Sequence, residues 1–172
     1  MPILANIIGV FGVVLFILSY QLKTRRNIIL AKIVSGFLYV VQYIMLGAFE
    51  GAMLDTAAFF VSILAFYRGS VFISKHLPLS IVLSELFIVC AGLTVYENPI
   101  SLLPIAGALF ETIALWLKKE KFIRIVSIFS TPFWLAYNLI SMAYGSALGS
   151  AIAFVSLTVA IIRYDVLKKR GK

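Results

Sequence analysis

The 172 residues are 62% hydrophobic and 13% charged, with a mean hydropathy of +1.06. So little polar surface excludes a water-soluble domain of this size and makes the bilayer the expected solvent for the whole chain. The net charge of +8 comes in short basic clusters between apolar runs; a phosphate-tracking face needs a continuous basic surface, so nucleic acid is not an expected partner.

The first apolar run covers 3–22, too long for a signal-peptide core, and its positive charges, KTRRN (23–27), follow it. That order suits a first span inserted with the N-terminus outside. Runs at 28–48 and 52–67 come next, joined around Phe49-Glu50-Gly51 without Lys or Arg. The stretch RGSVFISKHLP (68–78) leads to a run at 79–96, and Glu97-Asn98-Pro99 to one at 100–117. KKEK (118–121) precedes 123–141, and Met142-Ala143-Tyr144 precedes 146–163, followed by the basic tail KKRGK (168–172). The runs lie near the length of about 20 residues that crosses a bilayer. Their apolarity is continuous rather than alternating, which selects helices over a barrel. All 15 Lys and Arg fall at alternate ends of the runs, counting Lys32, Arg124 and Arg163 just inside them. The positive-inside rule then predicts an all-α integral membrane protein of seven transmembrane helices, with the N-terminus outside and the C-terminus cytoplasmic. Residues 1–172 form one membrane domain.

The spans repeat. A shift of 95 positions lays Gly12 on Gly107, Leu22 on Leu117 and Lys23 on Lys118. A shift of 92 lays Ile33-Val34-Ser35 on Ile125-Val126-Ser127, and one of 94 lays Phe60-Val61-Ser62 on Phe154-Val155-Ser156. The expected plan is therefore two parallel three-helix repeats, 1–68 and 100–165, joined by a linker helix at 79–96 (3+1+3). Parallel repeats of this kind are a transporter plan with the site at the repeat interface.

Three segments carry a family likeness: LLPIAG (102–107), FSTPFWLAYN (129–138) and YVVQYIMLGAFEGA (39–52). With the 3+1+3 order they resemble the PQ-loop and sugar-transporter (SWEET-like) superfamily, and more closely the bacterial inner-membrane YgjV family. The resemblance implies a multi-pass protein of the bacterial inner membrane, and architecture rather than a substrate. The chain departs from the superfamily's Pro-Gln pair. Pro104 is followed by Ile105, and Gly9 stands at the aligned place in the first span.

Several residues are candidates for function. Pro104 and Gly9, at corresponding places in the two halves, are candidate hinges, and Pro132 frees the carbonyl of Ile128 within its helix. Trp134 and Asn138 are four apart on one helical face, an aromatic plate beside an amide, as a pocket for a ring-shaped polar solute would present. The superfamily resemblance implies a Trp and an Asn in a central pocket. Gln42 lies at similar depth. Glu85 and Glu111 lie roughly 9 Å inside the cytoplasmic ends of their spans at 1.5 Å per residue, and carboxylates at that depth are functional candidates. Lys32, at comparable depth, either snorkels to the interface or pairs with Glu111. Asp55, near the outer face, is a proton or cation site or a solvated carboxylate. Gly145, Gly149 and Ala153 belong to a small-residue packing stripe, and Tyr39 and Tyr43 belong to a set of tyrosines near span ends, as in an interfacial belt.

One cysteine, Cys90, and one histidine, His76, leave no disulfide, no metal ligand set and no catalytic dyad. No enzyme activity and no cofactor are expected. The expected ligand is a small polar solute and the expected surroundings are the lipid bilayer. The alternative is a non-transporting protein acting as partner subunit or sensor.

Overall fold

A computed structural model describes residues 2–47, 49–140 and 144–167, and every regular element among them is helical. The helices are α1 (Pro2–Gln21), α2 (Arg25–Leu46), α3 (Phe49–Phe66), α4 (Val71–Lys75), α5 (Leu77–Thr94), α6 (Leu102–Trp116), α7 (Glu120–Ile140) and α8 (Tyr144–Ala160). A 3-10 turn at Pro99–Ser101 leads into α6, and a π-helical stretch, Ile161–Val166, continues α8.

Among the described residues six helices are long and apolar enough to cross a membrane, against the seven expected. The difference is α3, whose apolar stretch, Gly51–Phe66, falls below that length. At 1.5 Å per residue it covers about 24 Å, short of the roughly 30 Å hydrocarbon core. The segment 68–78, expected as a link, contains the short helix α4, capped by the Ser70 side chain accepting from the Ile73 N–H. The link at Met142-Ala143 and the tail 168–172 lie outside the described residues.

Local chemistry sets the helix ends. Thr24 caps α2 by accepting from the Asn27 N–H, and Gly47 ends it at φ 70°, a left-handed conformation that glycine adopts without a Cβ penalty. Asn98 and Ser101 form a reciprocal capping box on the turn into α6.

The packing inverts that of a water-soluble bundle. Large apolar side chains such as Val10, Phe11, Leu86 and Val155 point outward, while Ser19, Ser35, Ser84, Thr112, Ser127 and Ser130 are buried. Lipid is as apolar as leucine, so helices gain by close approach of small residues rather than by hiding large ones. The buried hydroxyls that line the interior mostly bond within their own helix, as Ser35 to the Lys32 carbonyl and Ser62 to that of Ala58.

Neighbour packing runs α1, α2, α3, α6, α7, α8 and back to α1, a closed ring, with α5 applied outside against α3 and α6. Side-chain hydrogen bonds gather one set of helix ends. The Arg25 guanidinium donates to the carbonyls of Ala65, Leu115 and Leu117. Arg124 donates to those of Tyr20 and Leu22 and to the Asp165 carboxylate. The C-terminal ends of α1, α3, α6 and α8 therefore meet the N-terminal ends of α2 and α7, at the end that carries the basic links.

Candidate functional site

All six ring helices, and not α5, wall a cavity of about 180 Å³. Trp134 and Asn138 both line it from α7, as their four-residue spacing allows. Asn138 donates to the Ser150 hydroxyl on α8 at 3.1 Å. The Trp134 ring lies against Gly107 of α6, where a Cβ would come within 2.8 Å of it. Gly107, aligned with Gly12 in the sequence repeat, thus makes room for the indole.

Gln42 is not among the lining residues. Its amide packs against Gly9 on α1, in space that a Cβ at Gly9 would occupy. Gly9 is thus a close-approach glycine within α1. Pro104 is buried in the first turn of α6, where an N–H has no helical acceptor, so its ring costs no hydrogen bond there. Pro132 is internal to α7, and the Ile128 carbonyl it frees accepts from the Thr131 hydroxyl at 2.8 Å. This is the side-chain repair that makes proline tolerable within a membrane helix. Thr131 is also a cavity residue.

The charged candidates divide. Lys32 of α2 and Glu111 of α6 form an ion pair on the cavity wall. The Lys32 ammonium also lies 3.4 Å from the Tyr20 hydroxyl, and over the Phe16 and Tyr20 rings at 4.9 and 4.4 Å. The second carboxylate oxygen of Glu111 is buried without a hydrogen-bond partner among the described residues. Glu85 lies outside the cavity on α5, accepting from the Thr112 hydroxyl at 2.9 Å, so it ties the outer helix to the ring. Asp55 of α3 lines the cavity instead of standing in water at the membrane face.

Tyr39 and Tyr43 on α2, expected in an interfacial belt, line the cavity instead, together with Ser35, Ser62 and Ser130, which the sequence does not single out as site residues. Their signal was present, since Tyr39 and Tyr43 are four apart and Ser35 recurs in the repeat. Tyrosines in a membrane chain also form interfacial belts, and sequence does not separate the two uses. The roles of Arg25 and Arg124 as caps on carbonyls of other helices were equally hidden behind their positive-inside meaning.

A ring of apolar helices around a hydroxyl-rich cavity, with lipid-facing side chains outside, defines a multi-pass helical membrane protein. The chain matches the model of the Imp-YgjV family, bacterial inner membrane proteins, over residues 3–168. It belongs to that family and is a multi-pass protein of the bacterial inner membrane. No curated protein and no solved structure matches it.

Proposed function

We propose that this protein carries a small polar solute through the central cavity, without catalysis, by rocking one three-helix unit against the other. The units are α1 to α3 (within 1–68) and α6 to α8 (within 100–165), joined by α5 (within 79–96). The observation that carries this reading is the cavity itself, walled by all six helices of the two units and by none of the linker.

Two features support the repeat. The contact of α1 with α8 and that of α3 with α6 exchange when one unit is laid on the other. The arginines behave alike: Arg25 of the first unit holds the Leu115 and Leu117 carbonyls, and Arg124 of the second holds those of Tyr20 and Leu22. These carbonyl pairs are related by the same shift of 95 positions that aligns the first helices of the units. Each unit thus grips the other's first helix at the basic end, which supports a state closed on the cytoplasmic side.

In this reading the chain crosses seven times, N-terminus outside and C-terminus cytoplasmic, on the PQ-loop and SWEET-like plan. The full α3, 18 residues from Phe49 to Phe66, reaches about 27 Å, and slight local thinning of the bilayer accommodates it. Trp134 and Asn138 contact the solute, Gln42 and Gly9 pack the first unit, and Pro132 shapes α7. The Lys32–Glu111 pair joins the units across the cavity. That pairing also favours the alternative, a packed partner subunit or sensor, in which the cavity admits nothing.

The test is a thermal-shift screen of the detergent-purified chain against sugars, nucleosides, amino acids and vitamin precursors, followed by uptake into proteoliposomes. A ligand that binds only the folded state raises its apparent stability. A hit that Asn138→Ala removes, and that is taken up, supports carriage. A panel with no hit and no uptake turns the balance to the alternative.

A further inference from the structure

The cavity wall holds three ionisable charges, on Lys32, Glu111 and Asp55. Lys32 and Glu111 cancel within their ion pair. Asp55 has no hydrogen-bond or ion-pair partner among the described residues. What remains is one carboxylate facing a small space among rings and hydroxyls.

The rings stand close to it. Tyr39 and Tyr43 share one face of α2, and Gly51 and Asp55 share one face of α3. The Tyr43 ring rests on Gly51, where a Cβ would come within 3.1 Å of it, one turn from Asp55. Phe59, one turn further along α3, and Trp134 from α7 complete the aromatic wall.

A carboxylate away from water is costly without a counter-charge. Aromatic faces attract cations through their quadrupoles. Both properties select the same ligand. An anion is repelled by Asp55, and a neutral solute leaves the carboxylate uncompensated. The aromatic wall favours a cation with apolar substituents over a hydrated alkali ion. The volume, about 180 Å³, bounds the ligand to a small molecule.

We propose that the cavity binds a small monovalent organic cation, an ammonium, with its charged centre between Asp55 and the rings of Tyr39 and Tyr43. This rests on the central-cavity reading and adds a ligand class to it.

The test uses the full chain in lipid nanodiscs, titrated calorimetrically with choline and tetramethylammonium. The controls are 3,3-dimethylbutanol, the uncharged carbon analogue of choline, and sodium and potassium chloride. Choline is expected to bind at least about tenfold more tightly than its neutral analogue, and Asp55→Asn to remove about that factor. Tyr43→Leu should weaken choline while leaving the weak binding of the analogue unchanged. The proposal is overturned by equal binding of choline and its analogue, by sodium or potassium binding that choline does not displace, or by no ammonium binding at millimolar concentration. Should Asp55→Asn not fold, the comparison of charged and neutral ligands on the wild type, with Tyr43→Leu, decides alone. Ammonium binding without uptake into proteoliposomes sinks the carrier reading and leaves this one standing. Uptake of a neutral solute with no ammonium binding does the reverse.

Discussion

Replacing Lys32 by methionine, with Glu111 left in place, removes one half of an ion pair whose side chains are 4% and 15% exposed. Glu111 then loses its counter-charge, and its other oxygen has no partner among the described residues. Breaking a buried pair from one side costs about 3–5 kcal/mol, and Lys32→Met should approach that. The reverse change, Glu111→Gln, is expected to cost less. The ammonium keeps the Tyr20 hydroxyl and two aromatic faces, and each ring contact offsets about 0.5–2 kcal/mol. The amide oxygen of the substituted side chain also still accepts a hydrogen bond. Combining the two changes, Lys32→Met/Glu111→Gln, removes both charges together and should recover most of the loss seen in Lys32→Met alone, because desolvation of a buried pair roughly cancels its attraction. The assay is reversible unfolding in mixed micelles by titrated sodium dodecyl sulfate, followed by far-ultraviolet circular dichroism, for the four proteins of the double-mutant cycle. Additive losses, or Glu111→Gln costing more than Lys32→Met, would refute the reasoning.

The repair of the Pro132 site predicts that Thr131→Val leaves the Ile128 carbonyl unpaired and costs about 1–2 kcal/mol; in Thr131→Val/Pro132→Ala the restored backbone N–H should recover most of it in the same unfolding assay. Gly107→Ala places a Cβ within 2.8 Å of the Trp134 ring, so the indole must turn, at about 1–3 kcal/mol. A shift of tryptophan emission, absent in Gly107→Ala/Trp134→Phe, is the check. Arg25 and Arg124 together hold carbonyls of α1, α3 and α6 at the basic end. In a Cys90→Ser background, a cysteine at Ser130 should resist a membrane-impermeant maleimide applied from the cytoplasmic side, and react once both arginines are alanine. Equal labelling in the two backgrounds contradicts a closure held by these residues. A cytoplasm-active reporter fused after residue 172 should be functional and its periplasm-active counterpart silent, if the basic ends face the cytoplasm.

Membrane residence, helical class and family were legible in the sequence because they rest on sums. The apolar content of each run, the absence of alternation and the placement of 15 basic residues are properties that solvent imposes on a segment regardless of its neighbours. The same is true of Trp134 and Asn138, whose common face follows from helical periodicity alone. Which helices touch was not so determined. A lipid-facing and a helix-facing residue are both apolar, so nothing in α3 distinguishes Asp55 at the cavity from Asp55 in the headgroups. Pro104 reads as an interruption because the start of α6, at Leu102 rather than at 100, depends on the capping box at Asn98 and Ser101, a matter of two hydrogen bonds. Common depth offered the pairing of Lys32 with Glu111, 79 residues apart, as one of two alternatives; that pairing is realised, and the grip of Arg124 on Tyr20 and Leu22 arises, only when α1, α2, α6 and α7 close into one ring. Hydrophobicity chooses the solvent for each segment. In a bilayer, where lipid competes equally for apolar surface, the partners are chosen by small residues and by the few polar groups that must find one another.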